Sequence, residues 1–349
     1  VKNVVVNEVH VVVPDGIDDP RRPSGGNVYD RRACRGLAAL GWSVHEHNVS
    51  GRWPRPDASG RAAVAAALAR VPSGSLVLVD GLVASVVPER LQPEAGRLRL
   101  VVLLHMPRDE PREVAALSAA SAIVATSEWT RRWLSDHYAL PGNPVYVVQP
   151  GVDAAEVAAG TPSGGRLLCV GGVTPLKGHD LLLDALATVD DRAWKCVCVG
   201  ALDLDQGFVA HLRRLAEDRG LSDRVCFTGP LTHNELDRAY AEADALVLAS
   251  RAETYGMVIT EALARGLPVI AGDVGGVPEA LGHAADGSRP GLLFPPGDSQ
   301  TLGQTLSHWL GDPRERDRLR AAARSRRQRL SDWAQTSREM SAVLSEVAG

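Results

Sequence analysis

Short, nearly continuous apolar runs alternate along this chain with stretches whose apolar positions recur every three or four residues. The runs of the first half are VVVNEVHVVV (4–13), WSVHEHNV (42–49), LVLVDGL (76–82), LRLVVLLH (98–105), AIVAT (122–126) and VYVVQP (145–150). Helical patterns at 27–40, 60–70, 111–120 and 128–137 separate them. Strands that are apolar throughout are buried on both faces, as in a parallel sheet covered by helices on either side. The small, polar, glycine-rich segment GVDAAEVAAGTPSGG (151–165) then breaks the rhythm, as a linker does. A second series follows: RLLCVGG (166–172), WKCVCVG (194–200), RVCFTG (224–229), DALVLAS (244–250), PVIAG (268–272) and GLLFP (291–295), with helices near 178–187, 205–219, 233–242 and 257–265. The pattern predicts two doubly wound α/β domains, 1–155 and 156–330, and a terminal helical segment, 331–349. Such sheets bind ligands at their carboxyl edges. Two in tandem predict a central cleft, with the chemistry in loops that follow strands.

Composition narrows the function. A length of 349 residues exceeds one ordinary core, and 45% hydrophobic with 23% charged residues is a soluble globular balance. No apolar run reaches the length of a membrane span, which argues against stable membrane insertion. The first residues read as a strand rather than an export signal, so the cytoplasm is the expected compartment. A net charge of -4 argues against a general nucleic-acid binder. Positive charge is nearly all arginine; the lysines are Lys2, Lys177 and Lys195. The arginine-rich tail RERDRLRAAARSRRQRL reads as a solvated helix face. Cys34, Cys169, Cys196, Cys198 and Cys226 read as reduced thiols packed as small apolar residues. The C-x-C of KCVCV lacks the loop geometry of a zinc knuckle.

The stretch ETYGMVITE (253–261) carries the first candidate chemistry. Its helix is expected to begin near Gly256 and to end at RGLP. Glu253 then lies just ahead of a helix N-terminus and Glu261 more than a turn inside, about 10–12 Å apart along the axis. That is too far for a glycosidase-type acid pair. The two instead bracket an anion-attracting helix start. Carboxylate, anion site, carboxylate matches the sugar, pyrophosphate and ribose of a nucleotide sugar; a capping acid followed by a half-exposed helix residue is the plainer alternative. In CVGGVTPLKGHDLLLDAL (169–186) a strand, a turn and a helix place Lys177 beside a helix start, where it would act on phosphate as a point charge. The spacing is not that of a Walker loop. Gly25 and Gly26 precede a helix beginning near Asn27 and would let backbone approach a phosphate or sugar. Arg31, Arg32 and Arg35 follow, and could meet an anionic or lipid acceptor, although a solvated face is the plainer reading. His105 ends a parallel strand and so points toward the expected cleft. GGVPEA (275–280) is a second glycine pair after a strand.

Together these residues resemble the retaining GT-B glycosyltransferases of family four. The specific part lies in GGVTPLKGHDLLLDAL, in RVCFTGPLTHNELDRAYAEADALVLASRAETYGMVITEALARGLPVIAGDVGGVPEAL and in GLLFPPGD. The E-x7-E of Glu253 and Glu261 is the hallmark. The resemblance implies a fold of two Rossmann-like domains facing a cleft. It implies that Glu253 holds donor-sugar hydroxyls, Glu261 the ribose, and Lys177 the pyrophosphate. Thr254, Tyr255, Gly256, Met257 and Val258 would line the sugar and phosphates. Gly25 and Gly26 would lie near the donor phosphate and acceptor, and His105 near the donor sugar. GPLTH (229–233), with Gly229 and Leu231, would hold the base, and SDWAQTSREMSAVLSEV (331–347) would cross back onto the first domain. Where the family commonly has Gly-Arg before the lysine loop, this chain has Gly171-Gly172, which leaves Arg251 or a first-domain arginine as substitutes.

The implied reaction is transfer of a sugar from a nucleotide diphosphate donor, a UDP- or GDP-sugar, to a small-molecule acceptor with retention at the anomeric carbon. No cofactor or metal is expected; DLD (203–205) is read as incidental. Catalysis would be electrostatic, with Lys177 and helix N-termini stabilising the leaving phosphate. A GT-B-type nucleotide-sugar epimerase and a nucleotide-sugar-binding protein without transfer are the alternatives. A Rossmann oxidoreductase is disfavoured, since no G-x-G-x-x-G follows the first strand.

Overall fold

The computed structural model describes residues 7–21, 23–140, 142–189 and 193–349. Lys2 and residues 4–6 of the first expected strand lie outside them. The chain forms two compact units. One comprises residues up to Asp19, Gly25–Gly151 and Ser331–Gly349; the other comprises Pro20–Ser24 and Val152–Leu330.

In the first unit β1 (Glu8–Pro14), β2 (Ser43–Val49), β3 (Leu76–Asp80), β4 (Arg99–Leu104), β5 (Ala122–Ala125) and β6 (Val145–Val147) form one sheet in the order β2-β1-β3-β4-β5-β6. Every pairing is parallel. Alternate residues of each strand feed opposite cores, as the pleat requires. Val9, Val11, Val13, Leu76 and Leu78 pack with Tyr29 and Leu37 of the helix Gly25–Ala39 and with Met340 and Leu344 of the last helix, Trp333–Ala348. Val12, Val77, Val79 and Val102 pack on the other side with Val64 and Leu68 of the helix Ala58–Ala69. The last helix is keyed in at backbone distance. A Cβ on Gly36 would stand 1.8 Å from Ser337 Oγ, and Trp42 Nε1 donates to Ser341 Oγ at 2.9 Å.

In the second unit β7 (Arg166–Val170), β8 (Lys195–Val199), β9 (Val225–Gly229), β10 (Ala245–Leu248), β11 (Val269–Gly272) and β12 (Gly291–Phe294) form a second parallel sheet, ordered β12-β11-β10-β7-β8-β9. The chain winds outward from β7 through β8 to β9, then returns to β10 on the other side of β7. The adjacent ends of β7 and β10 are therefore the topological switch point.

Two expectations need correction here. The segment after Gly151 reads as a loose linker, yet it is pinned. The fully buried Asp244 carboxylate accepts from Thr161 N, from Thr161 Oγ1 at 2.7 Å and from Arg166 N at 2.9 Å. The arginine-rich helix Pro313–Arg327 is not a solvated face on all sides. Arg316, 4% exposed, donates to the carbonyls of Trp309, Leu310 and Pro162. Arg320 reaches Thr161 O and Asp244. Arg327 reaches Ala264 O and Ala155 O. Arginine's planar five-donor head allows this, because one side chain can satisfy several carbonyls at once. The cysteines are free thiols, buried except for the exposed Cys226. Among the described residues no helix is long and apolar enough to cross a membrane.

Candidate functional site

The loops after β7 and β10 meet at the switch point of the second unit. The first carries Lys177 and the second Glu253. Lys177 Nζ lies 2.5 Å from Glu253 Oε1, and Ser250 Oγ donates to the same oxygen at 2.9 Å. The Glu253 side chain is 7% exposed and that of Lys177 is 29% exposed, so the pair presents its cationic end outward. A buried carboxylate is tolerated here because a cation and a hydroxyl both meet it.

Glycine sets how closely these loops approach. Gly178, at φ 66°, faces Ala249 O, which would stand 1.9 Å from a Cβ there. Gly275, at φ 55°, lies against Glu253 O, 1.7 Å from where its Cβ would be, and Gly276 N donates to that carbonyl at 2.9 Å. Gly276 itself would set a Cβ 2.0 Å from Thr254 O. Any side chain at these three positions displaces the loop that holds Glu253. The glycine pair 275–276 is thus the floor of the Glu253 loop.

Arg251 completes the clamp. It forms a two-pronged pair with Asp180, 2.9 and 2.7 Å, and donates to Pro175 O at 2.6 Å, while its backbone N–H meets Leu176 O at 2.8 Å. Arg251 is one of the residues that the sequence offers in place of the missing phosphate-binding arginine. Its guanidinium is committed to the Lys177 loop and the following helix, His179–Leu186. Gly172 has the side chain of Leu204 in front of it, 2.7 Å from a Cβ position.

The helix Met257–Ala264 starts from Gly256, left-handed at φ 88°, and no side chain caps it. Ile259 N donates to Gly256 O at 2.9 Å, and no side chain meets the N–H groups of Met257 and Val258 ahead of it. Met257 and Val258 are half-buried in that turn, Thr254 is half-buried, and Tyr255 is buried, its hydroxyl pushed up to about 12 by that burial. Farther along, Glu261 Oε2 accepts from Tyr240 OH at 2.8 Å. Burial pushes the Glu261 carboxyl up, against the opposing pull of the Tyr240 hydroxyl and Arg265. Arg265 lies 4.5 Å over the Tyr240 ring and pairs with Asp237. Gly229 ends β9 at φ 80°, and half-buried Leu231 follows it before Thr232 and Glu235 close a capping box on the helix His233–Glu242. Asp205 of the DLD stretch caps its helix through Phe208 N at 2.9 Å, which is an ordinary structural role.

The first unit has its own cluster at the β1/β3 switch point. His105 lies one residue past β4, with Nε2 2.7 Å from Asp30 Oδ1. Asp80, the last residue of β3, is 3% exposed and Asp30 is 2% exposed. The Asp30, Asp80 and His105 side chains come within 4.8 Å of one another. Burial, with Asp30 beside it, holds the Asp80 carboxyl far above the carboxylate range. Burial alone would pull His105 down; the charge and hydrogen bond of Asp30 outweigh it and hold the imidazole above its usual value. Gly25 opens the helix that carries Asp30, and a Cβ on Gly26 would stand 3.1 Å from His105 Cδ2, so Gly26 gives the imidazole its room. Arg31 is not a solvated residue: Asp18 grips it at 2.9 and 2.6 Å and Glu46 at 2.7 Å. Arg32 lies 5.6 Å over the Trp333 ring, and Arg35 is exposed. Asp30, Asp80, Ser250 and Asp180 are absent from the sequence reading. Only Asp80 carries a signal, as the acid that closes an otherwise apolar strand.

Residues 162–326 match the family model described as glycosyl transferases group 1. The chain is 34% identical over 259 residues to a D-inositol 3-phosphate glycosyltransferase of Jonesia denitrificans, covering 67% of this chain and 60% of that protein. It is 34% identical over 244 residues to the protein of the same name from Frankia alni, covering 65% and 59%. The chain thus spans about three fifths of the length of these relatives. Sucrose-phosphate synthase from Thermosynechococcus elongatus superposes with a TM-score of 0.79 at 24% identity, over 97% of this chain and 98% of that one. Anabaena HepE in complex with UDP-glucose superposes at 0.75 and 20% identity, over 97% and 99%.

Proposed function

We infer that this chain, whose residues 162–326 match the glycosyl transferases group 1 model and which has the GT-B fold, transfers a sugar from a nucleotide diphosphate donor to a small polar acceptor, with retention. The observation that carries the reading is the meeting of Lys177 and Glu253 at the β7/β10 switch point, beside an uncapped helix N-terminus. That arrangement offers one fixed cation, a row of backbone N–H groups and a buried carboxylate. Pyrophosphate suits the first two and sugar hydroxyls suit the third.

As the bond from the anomeric carbon to the phosphate oxygen lengthens, negative charge grows on the departing diphosphate. Lys177 and the first-turn amides of Met257 and Val258 stabilise that charge without moving, which is where electrostatic catalysis gains most. Glu253, held by Ser250, is oriented to accept hydrogen bonds from donor hydroxyls, and Glu261 to accept from a ribose. Gly229 and Leu231 would meet the base. In the first unit, Asp30 favours the protonated form of His105 against the pull of burial, and that form would suit a sugar hydroxyl or a phosphate oxygen. No protein nucleophile, metal or cofactor enters this scheme. The names of the relatives support a phosphorylated cyclitol among the acceptors to be tried, and the UDP-glucose complex of HepE supports a UDP-sugar among the donors.

The test is an incubation of the chain with UDP- and GDP-sugars, with and without inositol phosphates and simple sugars. Released diphosphate and the anomeric configuration of the product are read by NMR. An α-configured product from an α-donor supports the inference. A free epimer, or tight donor binding without turnover in any acceptor mixture, overturns it.

A further inference from the structure

We propose that Cys169, Cys198 and His179 form a buried binding site for a thiophilic metal ion of the zinc class, beneath the Lys177 loop of the second unit. The two sulfurs come from the middle of the sheet. β7 and β8 are parallel neighbours whose register sets Cys169 directly opposite Cys198, and residues paired in this way point to one face. Cys196, two residues before Cys198, shares that face. His179 opens the helix His179–Leu186 and meets the sulfurs from above the sheet.

The ligand atoms converge. The two sulfurs and a ring nitrogen of His179 all lie within 4.8 Å of one another. Cys169 Sγ is 3.7 Å from His179 Nε2, and the Cys198 thiol is in hydrogen-bond contact with the thiols of both Cys169 and Cys196. Sulfur about 2.3 Å and nitrogen about 2.0 Å from a tetrahedral ion stand about 3.5–3.8 Å from one another, a range that holds the Cys169–His179 contact. Cys196 offers a further sulfur for a fourth position. These ligands come from strands and a helix start, not from a knuckle loop.

Ordinary core packing accounts for the cysteines but not for the histidine. His179 is 1% exposed, and Cys169 and Cys198 lie with it inside the second-unit core. Its Nδ1 is buried without a hydrogen-bond partner among the described residues, and its Nε2 meets the weak thiol of Cys169. Burying an imidazole on those terms is costly. A divalent ion changes the balance. His179 Nε2 gives its lone pair to the metal, the two thiols bind as thiolates, and their two protons leave for solvent. The two negative sulfurs then cancel the charge of the ion, as a water-free core requires. Gly178, left-handed at φ 66°, turns the chain from Lys177 into His179, so the ion would tie the Lys177 turn to β7 and β8. It enters when that turn opens or as the chain folds.

The test uses the full chain without a polyhistidine tag, produced in medium supplemented with Zn2+ or Co2+ and kept under a phosphine reductant. Native mass spectrometry is expected to show one metal ion per chain, with the mass of the ion less two protons. The Co2+ form is expected to show a near-ultraviolet thiolate charge-transfer band, and either form to melt at a higher Tm than chain stripped by a chelator. Zinc K-edge absorption of the unaltered chain, a readout that needs no variant, is expected to give at least two sulfur neighbours at about 2.3 Å. Cys169→Ala and Cys198→Ala, checked for folding by circular dichroism, are each expected to lose the metal and the band. Cys226→Ser, at the exposed thiol, is expected to keep both. A chain free of metal from both media, metal without sulfur neighbours, metal kept by both folded alanine variants, or metal lost in Cys226→Ser overturns the proposal.

Discussion

Gly275 lies directly beneath the backbone of Glu253, so close that a Cβ would stand 1.7 Å from the Glu253 carbonyl oxygen. The contact ties the position of the buried carboxylate to a residue outside its own loop. Gly275→Ala combines that collision with a strained φ of 55°. It is expected to cost about 1–3 kcal/mol of second-unit stability and to weaken donor binding as the Glu253 loop shifts. Urea unfolding and calorimetric titration with a nucleoside diphosphate check the two effects separately. Unchanged stability would mean that the loop has an alternative seat.

Removing the two ends of the central ion pair is expected to be unequal. Lys177→Ala leaves the buried Glu253 carboxylate with only Ser250, whereas Glu253→Gln leaves a lysine that is already 29% exposed to water. Lys177→Ala should therefore be the more destabilising change. On the proposed transfer it should also lower kcat by about 10²–10³-fold, the usual cost of one transition-state electrostatic partner. Thermal melts of the two variants, alongside turnover, check the order. A Glu253→Gln protein less stable than Lys177→Ala would reverse the assignment of which partner needs the other.

Arg251 is the clamp between the Lys177 and Glu253 loops, through Asp180 and Pro175 O. The pair is partly solvent-exposed, so Arg251→Ala should cost no more than about 1 kcal/mol in stability. Its larger effect is expected in donor KM, because the two loops lose their shared fastening. Arg251→Lys should restore little, since an ammonium cannot span a carboxylate and a carbonyl as the planar fork does. Steady-state kinetics with a common donor distinguishes this from a direct phosphate contact. A direct contact would be partly rescued by lysine.

The loops after β7 and β10 were legible in sequence because each follows an apolar strand at once and each carries a distinctive residue: the rare Lys177 in one, the spaced glutamates in the other. The Asp30–Asp80–His105 group was not. Asp30 sits among ordinary helix residues, and only the strand order β2-β1-β3-β4 brings its helix beside the ends of β3 and β4. The tail was misread for a related reason. Composition shows that Arg316, Arg320 and Arg327 are charged, but not that buried carbonyls wait opposite them.

The first unit should carry a distinctive pH dependence. The native state holds a proton on His105 that the unfolded chain releases near pH 6.5. Native protein then binds more protons than unfolded protein above that pH, and stability falls as pH rises through the raised value. The contribution is fully present below pH 6.5. His105→Gln should remove this part of the slope, so the difference in unfolding free energy between wild type and variant should shrink from pH 6 to pH 9. Denaturant midpoints measured across that range check it. A difference that grows with pH would mean that burial, not Asp30, governs the imidazole.

The neighbouring Arg326 and Arg327 reach two different short helices from behind. Arg326 holds Leu281 O at 3.2 Å and Arg327 holds Ala264 O at 2.6 Å, the final carbonyls of Val277–Leu281 and Met257–Ala264. The opposite ends of those helices begin at Gly276 and Gly256, on either side of the Glu253 loop. Eight helical residues span about 12 Å and five about 7.5 Å, so each helix is a lever held at one end by an arginine and meeting the candidate site at the other. A displacement of about 1 Å at such a tip can change a rate by about 10²-fold. Evolution or an engineer can therefore retune this site by substitutions on the helix Pro313–Arg327, without altering a single residue that faces the substrate.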